Sequence, residues 1–245
     1  DASMSLSENP KYIEMLGPQD YINYRFERKD YGYYAFGIDT NQDGIEDTAE
    51  SAEGYEYYDW QKVMYRKALG QSYNVSLSSM VGGGTQIAAS LGYLNQEGLI
   101  RNNDQSRYTA RIKIDHKIGK KVKVGGVVNF GRTISSGAVS SGGGSLGYSG
   151  LVQYIYLERP IKKWTSDEAD EYEGVPFGLL SLITDQTFRK TSYDRLTANA
   201  YANWDITKHL SFRANASGGL SSSTLMEYYS SLSKWGRSRH GKATN

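Results

Sequence analysis

Cysteine is absent from this chain of 245 residues, and proline occurs only 4 times. Without cysteine there is no disulfide framework, no thiolate metal site and no thiol nucleophile. Net charge is also nearly absent. Lys plus Arg number 28 and Asp plus Glu 27, leaving +1, without the basic excess of a nucleic-acid binder. No window approaches the roughly 18 unbroken apolar residues of a membrane helix. The opening DASMSLSENP has neither the basic nor the apolar region of a signal peptide, and Asp1 is not an initiator Met, so the chain is expected to be a fragment of a longer one. Histidine is scarce as well. His116, His209 and His240 are scattered, and neither a nucleophile elbow nor a metal-ligating His pair is present. The triple glycine at 142–144 lacks the Lys of a phosphate loop, and the acidic run at 167–174 has the composition of a solvated face. Nothing here assembles a catalytic constellation, so the chain is expected not to be an enzyme.

Tyrosine and glycine are abundant, at 21 and 27 residues. Tyrosine suits boundaries where one end of the ring is apolar and the other wet. The mean hydropathy of −0.59 is that of a soluble protein. It is equally compatible with a transmembrane β-barrel, whose strands are apolar on one face only.

Residues 19–27 carry the spacing of a short helix, and residues 31–69 form a long loop with one helical turn near DWQKVMYRKAL. From residue 71 the period becomes two. Tyr73, Val75 and Leu77 alternate with Asn74, Ser76 and Ser78. The same alternation places Ile87, Ala89, Leu91 and Tyr93 on one face, then Tyr108, Ala110, Ile112 and Ile114, then Val122, Val124, Val128 and Phe130. It resumes with Leu196, Ala198, Ala200, Ala202 and Trp204, and with Leu210, Phe212, Ala214 and Ala216. Tight connections at 82–84, 117–120 and 205–208 alternate with long ones at 20–70, 95–105 and 134–190.

A soluble sandwich shares the alternation. Three features favour a barrel in a membrane. The strands run to about 10 residues or more, near the roughly 9–11 that a bilayer requires. Tyr93, Tyr108 and Trp204 fall at strand ends, as interfacial girdles do. The apolar faces are rich in Ala, a weak filler for a sandwich core.

Residues 90–130, SLGYLNQEGLIRNNDQSRYTARIKIDHKIGKKVKVGGVVNF, resemble a strand–loop–strand–turn–strand segment of the SusC/RagA family of TonB-linked outer-membrane transporters. YYDWQKVMYRKALGQSYNVSLSS resembles the family's segment entering that region, and FGLLSLITDQTFRKTSYDRLTANAYANWDITKHLSFRANASGG its following loop and hairpin, with Phe177-Gly178 in place of the usual Asn-Pro. The resemblance implies an all-β fold: an antiparallel transmembrane β-barrel segment, the N-terminal part of a barrel of about 22 strands with long outer loops. Its parts are an early strand and long loop (1–70), four strands (71–133), a long outer loop (134–190), a hairpin (191–223) and the start of the next loop (224–245). It further implies an outer-membrane location in a Gram-negative bacterium, lipid around the barrel, a SusD-like surface lipoprotein outside, TonB acting through a missing N-terminal region, and an oligosaccharide or peptide substrate. Arg111, Lys113, Asp115, Arg195, Asn199 and Arg213 would line the lumen. The alternative is a secreted, soluble β-rich glycan-binding module with a structural calcium.

Residues 39–50, DTNQDGIEDTAE, fit the calcium-loop pattern D-x-[DN]-x-[DN]-G-x5-E. Asp39, Asn41, Asp43 and Asp47 supply side-chain oxygens, Ile45 a carbonyl and Glu50 a bidentate carboxylate, a set suited to Ca²⁺. Gly44 permits the sharp turn. An acidic turn has the same composition, and no amphipathic helices flank the loop. Around it cluster Tyr33, Tyr34, Tyr57, Tyr58 and Trp60, which either stack on a sugar substrate or pack the loop.

Overall fold

A computed structural model of the chain describes residues 1–29, 36–137, 155–156, 160–162, 187–229 and 243–244. The triple glycine at 142–144, the acidic run at 167–174 and Phe177-Gly178 lie outside the described residues. In chain order the elements are β1 (Ala2–Ser7), α1 (Pro18–Glu27), β2 (Gly37–Ile38), β3 (Thr48–Ala49), β4 (Glu56–Tyr57), α2 (Trp60–Met64), β5 (Ala68–Val81), β6 (Thr85–Glu97), β7 (Asp104–Ile118), β8 (Val122–Ser136), β9 (Ile161–Lys162), β10 (Thr187–Asp205), β11 (Ser211–Tyr229) and β12 (Ala243–Thr244). One antiparallel sheet has the order β1-β5-β6-β7-β8-β10-β11-β12. Two small pairs, β2 with β3 and β4 with β9, lie beside it.

The alternation predicts the register. Directly opposed residues share a face, and the outer face runs Val75, Leu91, Ala110, Phe130, Leu196, Leu220 in one row and Leu77, Ala89, Ile112, Val128, Ala198, Gly218 in the next. Tyr73, Tyr93 and Tyr108 are register partners at the loop end of this face. The rings of Tyr73 and Tyr93 stack with centroids 6.4 Å apart. Val122, Trp204 and Phe212 form a row at the turn end. An apolar band lies between two aromatic rows, and it is open to the surroundings: Leu77 is 70% exposed and Leu220 74%.

The strands are longer than their apolar alternation. Past Tyr93 and Tyr108 the ladder continues through Asn95 with Ser106 and ends at Glu97 with Asp104. The connection expected at 95–105 therefore shrinks to 98–103. Polar residues keep making ladder hydrogen bonds where no apolar face has to be covered, so hydrophobic period undercounts them. Residues 224–229, expected in a loop, extend β11 although Leu225 and Met226 break its alternation, and β12 pairs back onto it.

Buried apolar side chains lie in a cap at the loop end. Trp60, Met64, Ile100 and Ile155 form one cluster; Ile22, Phe36 and Ile161 form another. The first is held by the segment after α2 lying on the connection 98–103. Arg66 N–H donates to Leu99 O at 2.8 Å, Arg101 N–H to Met64 O at 2.9 Å, and Arg66 pairs with Asp104. Asp59 caps α2 by accepting from Lys62 N–H. Buried Gln61 ties residues 8–17 to this cap. Its Oε1 accepts from Ile13 N–H at 2.9 Å and its Nε2 donates to Ile13 O at 2.6 Å. The Tyr65 hydroxyl lies 3.3 Å from that of Tyr156. Burial, then this contact, pushes the Tyr65 phenol up to about 12.

Candidate functional site

The second face of the sheet is polar, and register brings its residues together. Arg111, Asn129 and Thr197 share a row; Lys113, Val127 and Asn199 the next; Asp115, Gly125, Tyr201 and Asn215 the next; Lys117, Lys123, Asn203 and Arg213 the last before the turns. All six residues expected to line the lumen, Arg111, Lys113, Asp115, Arg195, Asn199 and Arg213, fall on this face. Together with Arg107, and with Arg189 paired to Glu227 at the loop end, it carries eight cations against Asp115, Asp205 and Glu227. A chain of +1 overall thus has a strongly basic inner face.

Asp115 does not project into the space above the sheet as expected. It is only 5% exposed. Its Oδ1 accepts the Tyr201 hydroxyl at 2.6 Å, and Lys113 Nζ stands 2.9 Å and Lys123 Nζ 3.8 Å from its Oδ2. Tyr201 is two strands away and reaches Asp115 by lying across Gly125. A Cβ at Gly125 would stand 2.4 Å from Asp115 Oδ1 and 2.7 Å from the Tyr201 ring. Arg213 places its guanidinium carbon 5.1 Å from the centroid of the same ring and Lys123 its Nζ 6.0 Å, so the ring also gathers cations. Lys113, Lys123, Asn199, Tyr201, Asn203 and Arg213 border an open recess of about 500 Å³. Tyr201 and Gly125 escaped notice in the sequence because a Tyr–Gly relation across strands appears only when the register is known.

The loop at 39–50 is held by a hairpin. β2 and β3 pair, with Asp47 N–H donating to Ile38 O at 3.0 Å and Glu50 N–H to Phe36 O at 2.8 Å. Inside the turn, Asp39 accepts from the N–H groups of Asp43 and Gly44 at 3.2 and 2.7 Å, and Asp43 Oδ1 from that of Ile45 at 2.8 Å. Gly44 adopts φ 89° and Gln42 φ 62°. Asp39, Asn41 and Asp43 are thus drawn together. Asp47 instead accepts the Thr40 hydroxyl, which holds its carboxyl below the usual range. Glu50 accepts the Tyr55 hydroxyl at 2.9 Å. Ile45 is exposed. The donor set has the hard oxygen chemistry of calcium, yet no three Asp, Glu or His side chains among the described residues come together as a metal site.

The aromatic cluster divides. Tyr33 and Tyr34 lie outside the described residues. Tyr58 stacks on Trp60 with centroids 5.0 Å apart, and Trp60 is 9% exposed within the cap cluster. Trp60 therefore packs the loop and has no free face for a sugar. Tyr57 is exposed.

The structural likeness follows from this sheet. A structure of the RagAB peptide transporter matches with a TM-score of 0.65 and 19% identity over 93% of this chain. The RagAB peptide importer in its closed-closed and open-open states matches with a TM-score of 0.63 and 18% identity. The fold is that of a TonB-dependent transporter barrel. The chain spans 28% of the length of the RagAB chains it matches. No protein-family model and no curated protein matches it. No helix among the described residues is long and apolar enough to cross a membrane, which leaves crossing by strands open. The chains it matches belong to transporters, and RagA is SusC-like.

Proposed function

We propose that this chain is a wall segment of a SusC/RagA-like, TonB-dependent importer in the outer membrane of a Gram-negative bacterium. The importer takes up oligomeric nutrients, peptides or glycans, with a SusD-like surface lipoprotein outside and TonB inside. One observation carries the reading: a sheet with an exposed apolar band between two aromatic rows on one face, a polar cationic second face, and the fold of the RagAB importer. A soluble sandwich would bury that band against a second sheet. The test is uptake of labelled oligopeptides and oligosaccharides by cells carrying the full-length protein, with and without TonB. TonB-dependent uptake of one class is expected; uptake unaffected by deletion of the transporter overturns the reading.

We also propose that residues 39–50 hold Ca²⁺ in an outer loop. The support is the full pattern match and the convergence of Asp39, Asn41 and Asp43 within the turn. Binding requires Asp47 and Glu50 to leave Thr40 and Tyr55. With calcium, protease cleavage within residues 36–54 of the full-length protein should slow several-fold relative to chelator. Asp43→Ala should mimic chelator, and Gln42→Ala should not. Cleavage indifferent to calcium would show an ordinary acidic turn.

A further inference from the structure

The inner face carries more positive charge than its own acids can answer. Asp115 already serves Lys113 and Lys123. Among the described residues no carboxylate stands within ion-pair distance of Arg111, Lys117, Arg195 or Arg213. Lys117 and Lys123 are direct cross-strand partners, an arrangement that is destabilising without an anion nearby. The cations are also distributed rather than gathered. Arg107, Arg111, Lys113 and Lys117 descend one strand, separated by roughly 13, 7 and 13 Å at about 3.3 Å per residue.

From this ladder we infer that the solute passing along the inner face is anionic, an acidic peptide whose carboxylates the Arg and Lys side chains receive in succession. This rests on the importer reading and specifies its substrate. A single convergent pocket would mark one fixed seat; a ladder along the strand direction suits a ligand that moves past it. An extended peptide presents same-side side chains about every 7 Å, so alternate same-side carboxylates, about 13 Å apart, match the Arg107-to-Arg111 interval. Arg at 111, 195 and 213 supplies planar guanidinium groups, which pair carboxylates with two parallel hydrogen bonds. A wall lined by one sign of charge also raises the local concentration of an oppositely charged solute before any contact forms.

The experiment uses cells carrying the full-length transporter and two labelled pentapeptides, Glu-Ser-Glu-Ser-Glu and its counterpart with Gln for Glu. Wild type should import the acidic peptide about 10-fold faster at low salt, and the preference should shrink as salt screens it. Arg111→Gln with Arg195→Gln should bring the two rates to within about twofold of each other, mainly by slowing the acidic peptide. Lys62→Gln, on the outer helix α2, should change neither. Equal rates in wild type overturn the inference. So does a double variant that lowers the thermal stability of the barrel while keeping the preference, since the arginines then answer fixed carboxylates of the protein itself. Entry of an oligogalacturonate in place of both peptides, with the same arginine dependence, overturns the peptide assignment. If wild type imports neither peptide, the inference falls; saccharide uptake in the same cells then leaves the importer reading standing, and its absence takes that reading too.

Discussion

Asp115 is a carboxylate in a field of cations, covered by a tyrosine that crosses a glycine to reach it. Each of the three residues depends on the other two. A hydrogen bond to a charged group contributes about 1.5–3 kcal/mol, so Tyr201→Phe should lower barrel stability by that order while the ring stays over Gly125. Asp115→Asn should cost more than Tyr201→Phe, because Lys113, Lys123 and Arg213 then face one another without an anion. Added salt should recover part of the Asp115→Asn loss and little of the Tyr201→Phe loss, since it screens repulsion and does not replace a hydrogen bond. The measurement is thermal unfolding of the full-length protein in detergent. Equal losses with no salt response would mean that the cations do not sense Asp115. None of this was legible in residues 115, 125 and 201 taken singly: an acid, a glycine and a tyrosine at polar positions of three strands signal nothing until hydrogen bonding sets the strands side by side.

At the scale of the element, alternation was enough to sort the faces. Ile112 and Ala200 lie in the apolar rows, and Thr109 and Asn199 in the polar ones, as their parity in the sequence requires. Arg at Ile112 or Ala200 should therefore impede assembly of the full-length protein in outer membranes, at roughly 2–4 kcal/mol near the bilayer midplane. Arg at Thr109 or Asn199 should assemble normally. Heat-modifiable mobility on gels separates the outcomes, and equal tolerance on both faces would contradict a lipid-facing band. Strand ends were less legible. The polar ends of β6 and β7 have no apolar face to cover, so nothing in their side-chain pattern distinguishes ladder from loop; the end of β11, with Leu225 and Met226 adjacent, breaks the alternation instead. The cap was least legible: Gln61, Ile100 and Ile161 are far apart in sequence, and their burial is decided by which loops the sheet brings together.

As a whole the described chain has its buried apolar side chains in a loop-end cap and a broad apolar surface uncovered. Val75, Leu77, Leu91 and Leu220 are each more than 60% exposed. Surfaces of this kind associate in water, and the lower half of β5 beyond Asn74 offers an unpaired strand edge within the described residues. The isolated 245-residue chain should therefore aggregate in plain buffer and become dispersed in detergent, as light scattering would show. A monodisperse, cooperatively melting monomer in buffer would favour the soluble alternative. The outward positions of β10 and β11 have a further consequence. Ala198, Ala200, Ala202, Ala214 and Ala216 are apolar enough to face hydrocarbon once folded, but between them stand Thr197, Asn199, Asn203, Arg213 and Asn215. No stretch of these strands holds the roughly 20 apolar residues that would be retained as a membrane helix. In the outer-membrane importer proposed above, a nascent chain so written would pass through the inner membrane's export channel without being trapped there, and would acquire its affinity for lipid only when neighbouring strands have aligned its alanines on one side.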